Sequence, residues 1–210
     1  MPLFPRHDPA ASKDLHRAEL ALEAALRVSE IAASATALPI SLRAMVSSAM
    51  ELLAAEQGSI MLLEERDRAL VLVASYGLPT TVPNGYRLPV GESVAGRVLA
   101  TGKPLLLGRV DRDAFVNFVP KSRPIVSSIV VPLRIQGKAI GVLSLAISTG
   151  EGRFTDEDMR VAQMFADQAA SVLHRARLHE QAEHRSSDLL ALLEASRGLL
   201  DALDVDSLLQ

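Results

Sequence analysis

The sequence contains no cysteine. That absence excludes disulfides, thiolate metal sites, cysteine nucleophiles and thioether-linked cofactors. Aromatic side chains are scarce, at 3% of the residues, so a core must be built from Ala, Leu, Val, Ile and Met, and the 49% hydrophobic content is ample for one. There is no excess of positive charge: a net charge of −3 leaves no electrostatic footprint for nucleic acid or an anionic membrane. No apolar run approaches the roughly 18 to 20 residues of a membrane span. The opening stretch MPLFPRHDPAASKD has no apolar segment of the kind a signal peptide needs. The expectation is a soluble, cytoplasmic protein without a membrane span or a nucleic-acid partner. At 210 residues it holds one ordinary domain with flanking helices, or two small domains.

Residues 1–12 carry three prolines and no periodicity, and read as a disordered tail. From Lys13 the pattern becomes helical, with Leu15, Ala18, Leu22, Ala25, Ser29 and Ala32 at spacings of three and four. This narrow stripe suits a helix–helix seam. Pro39 opens a second helix with an apolar face of Leu42, Met45, Val46, Ala49 and Leu53, and Gly58 is expected to end it. SIMLLEE and ALVLVASYG, joined by a charged turn, read as a strand pair. Residues 77–89, with three prolines and an Asn-Gly pair, read as a loop. A short helix follows from Val94 to Gly102, and PLLLGRV is a further strand. Two β-branched runs, IVSSIVVPLRI and AIGVLSLAI, flank Gln136-Gly137-Lys138 and predict a hairpin. Thr155 caps a last helix whose first turn carries Asp156, Glu157 and Asp158, where acids suit the positive end of the dipole. No glycine or proline interrupts that helix before Gly198, which allows about 40 residues.

The stretch VGESVAGRVLATGKPLLL, Val90 to Leu107, contains a Gly-Lys pair, as a phosphate-binding loop would. Such a loop spaces its glycines by four residues and follows the lysine with Ser or Thr. Here five residues separate Gly96 from Gly102, and Lys103 is followed by Pro104, which lacks both a hydroxyl and an N–H. The glycines bracket a helix instead of opening one, so the nucleotide-loop reading is rejected.

The element order predicts an α+β sandwich: a mainly antiparallel central sheet, first and last helices on one face, and a short helix with loops covering a pocket on the other. The segments QGSIMLLEE, GESVAGRVLATGKPLLL, SSIVVPLRIQGKAIGVLSLAI and FTDEDMRVAQMFADQAASVL carry a resemblance to GAF domains, extending from about Leu22 to Gln181. The resemblance implies a GAF domain over 13–185 and a linker helix over 186–210. SRGLLDALDVDSLL also echoes SEIAASATALPISL, with Ser196 over Ser29 and Ser207 over Ser41 after a one-residue slip. That echo reads either as the start of a second GAF domain or as chance likeness between Ala/Leu-rich helices.

GAF domains sense small molecules in signalling proteins, so the resemblance implies a regulatory module and no enzyme. An output domain such as a histidine kinase of a two-component system, a cyclase, a transcription activator or a second GAF domain would lie beyond it. It implies a parallel homodimer joined along a coiled coil by Leu15, Ala18, Leu22 and Ala25 of the first helix and Phe165, Val172 and Ala176 of the last. Bilin-binding relatives attach their chromophore through cysteine, and methionine-sulfoxide-reducing relatives need cysteines too; neither chemistry is open to this chain. Cyclic-nucleotide-binding relatives carry N-K…F-x-x-x-D-E, of which Phe154-Thr155-Asp156-Glu157 is a compressed echo without the N-K pair. Haem ligation is disfavoured because residues 59–150 contain no histidine.

His174, His179 and His184 lie five residues apart, about 140° around a helix, so they do not converge on a metal. His184 is followed by Arg185-Ser186-Ser187, unlike a phosphoacceptor histidine. No nucleophile–base set or metal cluster survives, and no cofactor is assigned. The candidate ligand-binding residues are Arg97 on the short helix, Arg112, Asp113, Phe115 and Phe118 in the covering segment, and Ser128 and Ser144 on the hairpin. Each serine interrupts an apolar run and either points into a pocket, is satisfied by the backbone, or takes an outward-facing strand position. The two phenylalanines fit a lid or a small satellite core. Arg97 and Arg112 favour an anionic ligand if they face inward, and are surface groups if they do not. The competing function is a dimerisation and spacer module with no ligand.

Overall fold

The computed structural model describes residues 38–79, 82–83, 85–91, 93–108 and 125–207, with side chains described as far as Leu189. Helix α1 spans Leu38–Leu53, with Pro39 in its first turn. Its expected apolar face is the buried one: Leu42, Met45, Val46, Ala49 and Leu53 recur at helical spacing. Gly58 does not end this helix. Ala54 takes a left-handed φ of 49°, and the Ala55 N–H donates to the Met50 carbonyl at 2.9 Å, which closes the last turn. Gly58 lies instead inside strand β1 (Gln57–Glu64), beneath α1. A Cβ there would come within 2.8 Å of Val46 and 2.7 Å of Met50, so the helix packs this closely only against a glycine.

Strands β1 and β2 (Ala69–Tyr76) form the expected antiparallel pair. The loop expected over 77–89 contributes a short strand, β3 (Arg87–Pro89), which pairs with β2. Arg87 also bridges Glu64 at 2.7 Å and Asp67 at 2.6 Å, pinning β3 to the β1–β2 turn. Helix α2 (Val94–Thr101) precedes β4, which is confined to Leu105–Leu107. The hairpin is β5 (Ser127–Ile135) and β6 (Lys138–Ile147). Its two-residue turn, Gln136 and Gly137, has φ of 50° and 80°, the primed geometry whose twist matches the strands. Pro132 is tolerated in β5 because β4 pairs only with residues 128–130, so no neighbour needs its missing N–H. Its carbonyl takes the side-chain amide of Gln163 at 3.0 Å.

The six strands lie in the order β3-β2-β1-β6-β5-β4, with every neighbouring pair antiparallel. Alternation then sorts the side chains. Ile60, Ile129, Val131, Leu143 and Leu145, all fully buried, share the α1 face with Gly58. Met61, Leu70, Leu72, Val130 and Val142 pack with Ala95, Val98 and Leu99 of α2 on the other face.

Helix α3 runs from Asp156 to Ser207, 52 residues, longer than expected and through Gly198. Thr155 caps it as anticipated, in a reciprocal box: the Asp158 N–H donates to Thr155 Oγ1 at 3.2 Å, and the Thr155 N–H to Asp158 Oδ2 at 2.8 Å. The chain divides into two compact units, Met1–Val172 and Leu173–Gln210. In the first, Ala162, Phe165, Ala166, Ala169 and Ala170 form the buried stripe of α3. The second is helical to Ser207 and leaves Leu178 and Leu189 exposed. No described helix is long and apolar enough to cross a membrane.

Candidate functional site

The short helix α2 settles what the Gly-Lys pair does. Ser93 caps its start, accepting the Gly96 N–H at 2.9 Å, and Gly102 closes its end with φ 62° and an N–H bond to the Val98 carbonyl at 2.8 Å. The Gly102 carbonyl is then taken by the Arg134 guanidinium. Lys103 is exposed and simply leads the chain out to β4.

Between the first turn of α2 and the sheet lies a cavity of about 80 Å³. This is several times the roughly 10–15 Å³ that one water needs. Two cross-strand rows make its floor. Ser59 on β1 pairs with Ser144 on β6, which pairs with Val130 on β5; one step along, Gln57 and Ser128 flank Ala146. Leu78, Val94 and Ala95 line it from the α2 side, and Leu107 and Ile125 at the β4 edge. Before Gln57 in the chain, the Glu56 carboxylate accepts the backbone N–H groups of Ser148 (3.3 Å) and Thr149 (3.1 Å) and the Thr149 hydroxyl.

The floor carries an unusual chemical feature. Ser59 is 2% exposed and Ser128 7%, yet neither hydroxyl, nor that of Ser144, has a hydrogen-bond partner among the described residues. Buried hydroxyls are ordinarily satisfied, because desolvating one without a partner costs about 1–3 kcal/mol; these three avoid that cost only because they open onto the cavity. Ser127 illustrates the usual arrangement. It points to the opposite face, donates to the Leu107 carbonyl at 3.2 Å and accepts the Phe154 N–H at 3.1 Å. Consecutive serines thus divide, one tying β5 to its surroundings and the other opening onto the cavity.

Of the expected site residues, Ser128 and Ser144 meet at this floor. Arg97 does not: α2 turns Ala95, Val98 and Leu99 inward, and Arg97, about 200° beyond Ala95, is exposed and outside the lining. Arg112, Asp113, Phe115 and Phe118 lie outside the described residues. Sequence reasoning missed Ser59 and Gln57; the cross-strand register that sets Ser59 against Ser144 is the signal that finds them. Two residues expected at a dimer seam are committed elsewhere. Phe165 and Val172 are 5% and 7% exposed within the single chain, so they are already buried and present no free surface. Ala176 is half-buried, and Leu15, Ala18, Leu22 and Ala25 lie outside the described residues. No group of three or more His, Asp or Glu side chains capable of holding a metal occurs among the described residues.

Comparison with known proteins accords with this architecture. A family model described as GAF domain matches residues 35–174. Protein YtsP of Bacillus subtilis is 35% identical over 105 residues, half of this chain and 60% of that protein, so the match leaves two-fifths of the relative uncovered. Among solved structures, the GAF domain of an Acinetobacter phosphoenolpyruvate-protein phosphotransferase superposes with a TM-score of 0.65 at 24% identity, over 75% of this chain and 94% of that one. The free methionine-R-sulfoxide reductase of Neisseria meningitidis, solved with its substrate, gives 0.64 at 24% identity, over 85% and 98%. At such identities these two likenesses concern the fold. The family match covers the sheet, α1, α2 and the start of α3, and by it the chain belongs to the GAF domain family, whose members occur in signalling proteins.

Proposed function

We propose that this chain is a non-catalytic sensory module: a small molecule enters the cavity between the sheet and α2, and its arrival is passed on through α3. The observation that carries this reading is the set of three serine hydroxyls, Ser59, Ser128 and Ser144, facing a cavity without partners among the described residues. Such groups gain most from a ligand that supplies hydrogen bonds. α2 is well placed to respond, since Val94 and Ala95 border the cavity while Val98 and Leu99 sit in the adjoining core. Absence of cysteine counts against thiol chemistry on this fold.

The module works as a cytoplasmic parallel homodimer, of the kind that joins two-component and related signalling proteins, and α3 forms the coiled-coil connection to an output domain. Exposed Leu178 and Leu189, 11 residues apart and within about 20° on a helix, support a seam in the second unit. Residues 13–185 form the sensory domain and 186–210 the connector, or the first helix of a second copy. Sedimentation should give twice the monomer mass at micromolar concentration; a monomer there removes the dimer from the account.

The ligand is tested by thermal shift with cyclic nucleotides, amino acids and 2-oxo acids. A specific binder raises the melting temperature in proportion to the logarithm of its excess over Kd. Silence across the whole panel would replace the sensor with a spacer whose cavity holds only water.

A further inference from the structure

Resting on the reading that this cavity takes a ligand, we propose that the ligand is a small carboxylic acid. Its carboxylate sits at the start of α2, and its remaining polar atoms meet Ser59, Ser128 and Ser144.

Three independent features point to that class. First, none of the lining side chains among the described residues is charged. Among the described residues a cationic ligand meets no lining carboxylate, and a multiply charged phosphate meets no lining lysine or arginine. What the lining offers is neutral hydrogen-bonding groups on an apolar wall, which suits at most a single charge.

Second, the negative end of the ligand has a seat. Within the first turn of α2, Ser93 takes two N–H groups, that of Gly96 on its side chain and that of Arg97 on its carbonyl, both at 2.9 Å. The N–H groups of Val94 and Ala95 are left without an acceptor among the described residues, and both residues border the cavity. A helix start carries about half a positive charge, localised on such free N–H groups, and two adjacent ones match the two oxygens of a carboxylate.

Third, the opposite wall is equipped for the rest of the molecule. Ser59 and Ser128 are more than nine-tenths buried, line the cavity and lack partners among the described residues. Each hydroxyl both donates and accepts, so the trio accommodates a hydroxy, oxo or amino group beside the carboxylate. The volume of about 80 Å³ limits that molecule to a few heavy atoms.

The test compares each acid with its primary amide, which keeps the shape and removes the charge. The full 210-residue chain, labelled with nitrogen-15, is titrated at neutral pH with acetate, propionate and lactate, and separately with acetamide, propionamide and lactamide. Expected are saturable shifts of the Val94 and Ala95 amide resonances with at least one acid, and binding of the matching amide about tenfold or more weaker. Ser59→Ala and Ser128→Ala should each weaken the acid while leaving the spectrum of the folded chain otherwise unchanged. Because no lining side chain among the described residues titrates, affinity should hold from about pH 6 to pH 9. Equal binding of acid and amide overturns the carboxylate assignment but leaves the sensing cavity standing. No saturable shift of Val94 or Ala95 with any acid also overturns it. Failure of the sensing role itself is read separately, from silence of the broader thermal-shift panel.

Discussion

The two faces of the sheet use the same strands for opposite ends. On the α1 face the inward residues of β1, β5 and β6 include Ile60, Ile129, Val131, Leu143 and Leu145, fully buried aliphatics, and the β5 serine on that side, Ser127, both donates and accepts a hydrogen bond. On the α2 face, one residue over, stand Ser59, Ser128 and Ser144, with no partners among the described residues. Even within the α2 face the character is graded. Met61 and Val142 pack against Val98 in a closed apolar cluster, whereas two residues further along the same strands the floor turns to serine and the packing stops. Period-two alternation lets one strand serve stability with every second residue and recognition with those between.

The sharpest way to break that contrast is to truncate one residue on the helix-backed face. Ile60→Ala removes a fully buried side chain beneath α1 and should destabilise the chain by about 2–5 kcal/mol, seen as a lower urea midpoint at unchanged slope. A loss under about 1 kcal/mol would mean that the α1 face is as loosely filled as the cavity face.

Much of this arrangement was legible in the sequence, because it rests on local signals. The α1 stripe, the β1–β2 pair, the hairpin around Gln136-Gly137, the Thr155 cap and the covering of opposite faces by different helices all follow from periodicity and turn chemistry. The misses share a different cause: they depend on what arrives from elsewhere in the chain. β3 is three residues beside prolines, and it exists because β2 offers an edge and Arg87 finds Glu64 and Asp67. Gly58 is a strand residue under a helix and not a helix terminator, a fact set by Val46 and Met50 above it. Phe165 and Val172 fit a seam by spacing but are consumed by the chain's own core. Of the site, Ser128 and Ser144 were visible as polar breaks in apolar runs. Ser59 was hidden at the start of its run, and became meaningful only when β1 and β6 were set in register. For Arg97 both orientations stayed open, because a two-turn helix leaves little periodicity from which to tell its inner face.

The finest probe of the contrast is the consecutive pair Ser127 and Ser128, identical in chemistry and covalently adjacent. Ser127→Ala deletes a hydroxyl that donates to the Leu107 carbonyl and accepts the Phe154 N–H, leaving both backbone groups short of a partner beside β4 and the entry to α3. A loss of about 1–3 kcal/mol is expected. Ser128→Ala deletes a hydroxyl with no partner among the described residues, so the folded state forfeits no bond there, and the change should stay within about 0.5 kcal/mol of zero. Stability is therefore expected to fall at one serine and ligand affinity at the other. If Ser128→Ala cost as much as Ser127→Ala in the absence of any added ligand, the Ser128 hydroxyl would be a structural group after all. The floor would then lose the unsatisfied chemistry that makes it a binding surface.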